Sequence, residues 1–81
     1  MVDIDPHYQK LIIEDERSTI NHYARSIGTW KQMLERETDE TQKQYYKYFM
    51  YVDEIYLEIA YERLTRFRTE FDDYEHRQAV V

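Results

Sequence analysis

The sequence predicts an all-α protein, an antiparallel hairpin of two long helices that dimerises into a four-helix bundle or coiled coil. Three observations carry this. Glycine and proline occur once each in 81 residues, and cysteine not at all. Apolar residues recur at alternating spacings of three and four, the signature of a helix with one buried seam. Near residue 38 the apolar pattern stops and a run of capping residues takes its place. Several strands would need several turns, and turns lean on glycine, proline and asparagine, which are nearly absent. The chain reads as a single domain over 1–81, with helix one at about 6–36, a turn at about 37–40 and helix two at about 39–78.

Helix one starts at Asp5-Pro6. Aspartate accepts a hydrogen bond from a free N–H of the first turn, and proline fits the first helical position, where its missing N–H costs nothing. The seam follows as Ile13, Glu16, Ile20, Tyr23, Ile27, Trp30 and Leu34, a heptad register. Tyr8, Leu11 and Ile12 extend an apolar patch at the N-terminal end. Gly28 lies inside the pattern. It is expected either to let the backbone approach a neighbour closely beside Trp30 or to bend or break the helix.

The interruption is Glu37-Thr38-Asp39-Glu40-Thr41, which has no apolar residue. Thr38 or Asp39 can cap the second helix. So short a connection makes the helices antiparallel neighbours.

Helix two then runs without glycine or proline. Its first seam is Tyr45, Tyr48, Val52, Ile55 and Ile59, and its second is Tyr56, Ala60, Leu64, Phe67, Phe71 and Tyr74. Passing from one to the other inserts four residues, a stutter, so the buried stripe is expected to rotate around the helix near its middle. Matching levels across the turn, where residue numbers sum to about 78, set Trp30 against Tyr48 or Phe49 and Tyr23 against Ile55 or Tyr56. Glu16 falls opposite Arg63, both on seam positions, and the two are expected to pair. Asp53 finds no partner on its own helix. A tyrosine hydroxyl or a cation from another chain is the expected one.

Seven of the nine tyrosines lie on helix two. Between Tyr45 and Tyr61 this helix is apolar over more than half its circumference, and one neighbouring helix cannot cover so wide an arc. The face expected to remain uncovered, and so to form an interaction surface, comprises Tyr46, Met50, Tyr51, Glu54, Leu57, Glu58, Tyr61 and Glu62. The first candidate to cover it is a second copy, giving a homodimer. The next is a different protein, whose identity the residues do not specify.

The formal net charge is −6. An acidic chain is a poor ligand for a phosphate backbone or an anionic membrane, so neither partner is expected. With no basic leader and no long apolar run, a cytoplasmic protein is the default expectation. Without cysteine there is no disulfide framework, thiolate nucleophile or thiolate zinc site. His76 shares a helix face with Asp72 and Asp73, but the Glu-x-x-His turns that a bundle metal site requires are missing. No glycine-rich phosphate loop occurs. Catalytic residues, metals and cofactors are therefore not expected. The function expected is a non-catalytic protein–protein interaction or regulatory module, such as a small acidic phage- or plasmid-type inhibitor or accessory factor. The alternative is a dimeric nucleic-acid-binding bundle that uses Lys43, Lys47, Arg63 and Arg66.

Overall fold

The computed structural model describes the backbone of residues 4–80 and the side chains of residues 4–72. Two helices account for it, α1 over Pro6–Arg36 and α2 over Glu40–Val80, with extensive contact between them. Their antiparallel sense follows from the pairs that meet: Trp30 with Phe49, Tyr23 with Tyr56 and Glu16 with Arg63.

Local chemistry sets each helix end. The Asp5 carboxylate accepts from the His7 backbone N–H at 2.8 Å, with Pro6 occupying the first turn. At the turn, the Glu37 carboxylate accepts from the backbone N–H groups of Thr38 and Asp39 at 3.1 and 3.0 Å. Asp39 rather than Thr38 caps α2, its Oδ1 accepting from the Thr41 N–H at 3.3 Å. These bonds satisfy donors that a helix start otherwise leaves open. Helix α1 continues through Gly28 unbroken. A Cβ built on Gly28 would meet nothing within 4 Å, so no close backbone approach explains this residue.

The seam of α1 is the expected heptad, extended by one polar step to the buried Gln9. Gln9 is satisfied locally, donating through Nε2 to the Ile4 carbonyl at 2.7 Å. The seam of α2 differs from the expectation. The residues turned towards α1 are Tyr46, Met50, Asp53, Leu57, Ala60, Leu64, Phe67 and Phe71. Their spacings alternate between four and three throughout, so α2 presents one continuous register and the expected stutter is absent. Tyr45, Tyr48, Ile55 and Ile59, expected in the seam, are exposed instead.

The hydrophobic centre is small. Ile20, Ala60 and Leu64 pack together, flanked by Ile13 and Leu57. Ala60 is completely covered, packed with Ile20 and Leu64. Aromatic contacts extend the packing towards both ends. Trp30 meets Phe49 at a ring separation of 4.9 Å, and Phe67 and Phe71 stack at 6.0 Å. The molecule measures 63 × 17 × 14 Å and is one pair of helices thick. Its radius of gyration is 18.1 Å, whereas a compact chain of this length would have about 12 Å.

Candidate interaction face of α2

Two polar contacts decide how α2 is rotated. Asp53 lies on the α1 side of the helix. Its Oδ2 accepts from the Ser26 hydroxyl at 2.5 Å and from the Trp30 indole Nε1–H at 3.1 Å. The expected partner, a tyrosine hydroxyl or a cation from another chain, is thus replaced by two donors of α1. Ser26 and Trp30 are one helical turn apart and converge on a single oxygen, which suits a carboxylate with several acceptor sites.

The second contact is Glu16 with Arg63. Both Nε and Nη2 of the guanidinium lie 3.0 Å from Glu16 Oε1. The Glu16 side chain is only 10% exposed and that of Arg63 is 52% exposed. The acid is therefore held inside the seam while the cation reaches it from the rim. The pair stands where the level rule put it. Among the described residues no buried side-chain polar atom lacks a hydrogen-bond partner.

With Asp53 turned inward, the opposite side of α2 turns out. It carries Tyr45, Tyr48, Val52, Ile55 and Ile59 in a second register of spacings three and four. Phe49 and Tyr56 lie on the edge between the two stripes. At 3.5 residues per turn the outward stripe is centred roughly 150° from the inward one. Four of its five residues are exposed: Tyr45 at 55%, Tyr48 at 60%, Ile55 at 40% and Ile59 at 41%. At its N-terminal end the side chains leave an apolar hollow lined by Thr41, Gln44, Tyr45, Tyr48 and Phe49.

The residues expected at the uncovered face divide. Tyr46 and Leu57 do not lie outside the reach of α1. Tyr46 stacks on Trp30 at 5.9 Å with the ring planes 23° apart, and Leu57 packs on the Ile20–Ala60–Leu64 group. Met50 occupies the same seam and is half-buried. Tyr51, Glu54, Glu58, Tyr61 and Glu62 are exposed. Of these, Glu54 and Tyr61 lie on the polar side, Tyr51 and Glu58 border the apolar stripe, and Glu62 continues its register beyond Ile59. The sequence held only a partial signal for the outward stripe, because an acid marks each series, Asp53 within the inward one and Glu62 at the end of the outward one. The series through 46, 50, 53 and 57 runs on to Leu64 and Phe71, while the series through 45, 48 and 52 meets charge at Glu62.

Three of the four cations considered for nucleic-acid binding are matched by acids. Lys43 pairs with Glu40 at 3.3 Å, Arg63 with Glu16, and Arg66 with Glu70 at 2.9 Å. Among the described residues no three histidine, aspartate or glutamate side chains come together as a metal site. The expected face containing His76 and Asp73 lies outside the described side chains. No helix, among the described residues, is long and apolar enough to cross a membrane. No protein-family model, curated protein or solved structure matches the chain.

Proposed function

We propose that this chain is a non-catalytic protein–protein interaction module that works through the outward face of α2. The observation that carries the reading is the row of exposed apolar side chains from Tyr45 to Ile59 on a helix whose other side is already committed to α1. A contiguous apolar stripe on a rigid element marks a surface made to be covered. Tyrosine suits such a surface, since its ring buries well and its hydroxyl tolerates water. Exposed Glu58 borders the stripe and Glu62 continues its register, so the complementary surface is apolar at its centre with polar or basic groups at its rim. An accessory or inhibitory role follows naturally for a binding surface with no reactive group of its own.

The test is site-specific photo-crosslinking in the native host. A photoreactive phenylalanine replaces Tyr48 or Ile55, and in a control it replaces Ser18 on the far side of α1. Protein adducts from the two α2 positions and none from Ser18 are the expected result. Adducts to nucleic acid, or equal protein adducts from all three positions, would overturn the reading.

A further inference from the structure

We infer that the outward face of α2 is covered by a second copy of this chain, through an antiparallel α2–α2 contact about a two-fold axis near residue 50. This rests on the reading that the face is a docking surface, and it names the occupant.

The chain exposes 6494 Å², whereas a compact folded protein of 10.2 kDa exposes about 5,300 Å². The excess, roughly 1,200 Å², is more than the ~800 Å² that each partner buries in a stable standard interface. A second copy is a sufficient cover, and α1 does not obstruct it because the two stripes of α2 lie nearly back to back.

The direction follows from charge. The outward stripe consists of two rows, Tyr45–Val52–Ile59 and Tyr48–Ile55, and the next member of the shorter row is Glu62. A parallel pair would set Glu62 directly against the partner's Glu62. An antiparallel pair separates the two acids and also opposes the helix dipoles favourably.

The register follows from shape. Side chains interdigitate when the two residues of a layer come from different rows, one knob entering a hole made by four residues of the facing helix. Thr41, Gln44, Tyr45 and Tyr48 are such a set of four, and they line the hollow at the N-terminal end of the stripe. An antiparallel pairing whose residue numbers sum to about 100 puts the partner's Ile55 over this hollow. The same register sets Tyr48 beside the partner's Val52 and Ile59 beside the partner's Thr41. It also places Glu58 beside the partner's Gln44, and Glu62 falls beyond the apolar layers. The assembly is then a layer of four helices with the two α2 helices in the middle.

Because the natural chain has no cysteine, introduced thiols report the contact cleanly. Single variants Tyr45→Cys and Ile55→Cys are oxidised mildly, alone and as an equilibrated mixture, while sedimentation equilibrium gives the mass of the unmodified chain. In the proposed register Tyr45 is about 15 Å along the axis from its own copy but level with the partner's Ile55. A doubled mass, with disulfide dimers from the mixture and not from either variant alone, is the expected result. Dimers from Tyr45→Cys alone would mean a parallel contact and overturn the proposal. A doubled mass without any disulfide would place the contact elsewhere and overturn it too. A mass of one chain would overturn it while leaving the proposed function standing, provided Tyr48 still photo-crosslinks to another protein. Circular dichroism of each variant shows that the helices persist.

Discussion

The carboxylate of Asp53 accepts the hydroxyl hydrogen of Ser26, a residue 27 positions earlier, across the seam of the hairpin. The contact holds a charged group on the inward side of α2 and thereby turns a row of tyrosine and isoleucine outward. Removal of the acceptor leaves the Ser26 hydroxyl and the Trp30 N–H without it. Asp53→Ala is expected to lower stability by about 2 kcal/mol, and Asp53→Asn by about half as much, because the amide oxygen still accepts. Urea denaturation followed by the fluorescence of Trp30, the only tryptophan, measures both. Equal losses for the two variants would remove the hydrogen bonds from this account.

The Glu16–Arg63 pair is asymmetric in burial, and its two halves should respond differently. Arg63→Gln strands a nearly buried carboxylate and is expected to cost about 2 kcal/mol. Glu16→Gln leaves a half-exposed guanidinium that water can solvate, and should cost less than 1 kcal/mol. The double variant should be more stable than Arg63→Gln alone. Thermal melts of the three variants at one protein concentration check the order.

Gly28 occupies an ordinary position on α1 with space around it. Gly28→Ala therefore removes backbone freedom from the unfolded chain without a clash in the folded one. It should raise stability by roughly 0.5–1 kcal/mol. A lowered melting temperature would show that this position has a role other than building the helix.

The two stripes of α2 predict two kinds of variant. Leu57→Ala opens space beside Ile20 and Leu64 and should cost about 2 kcal/mol at any protein concentration. Ile55→Ala touches the outward face, so its effect should be confined to the concentration-dependent part of stability, which reports association. Melts at low and high concentration separate the two. The reverse pattern would mean that the stripes have been assigned to the wrong partners.

Much of the hairpin could be read from the residues. Asp5-Pro6 and the run after Arg36 set the helix ends, because caps and breakers act over a few neighbouring residues. The seam of α1 was legible because only one apolar series runs along it. Given an antiparallel turn, simple level matching found Glu16 with Arg63 and narrowed Trp30 to Tyr48 or Phe49 and Tyr23 to Ile55 or Tyr56, of which Phe49 and Tyr56 make the contacts. The uncovered face was less legible, since α2 offers two apolar series of the same period and periodicity alone cannot choose between them.

The sequence by itself determined that there are two helices, where they turn and that α2 has more apolar surface than one neighbour can cover. Which part of that surface is covered was decided only when the helices came together. Ser26 and Trp30 present two donors at the level of Asp53, and a half-buried carboxylate is stable where donors converge on it. That choice rotates α2, places Tyr46 and Leu57 against α1, and leaves Tyr45, Tyr48, Ile55 and Ile59 facing outward. Local propensity is a property of consecutive residues. The rotation of one helix against another depends on polar groups more than twenty residues apart, and neither series alone contains that information.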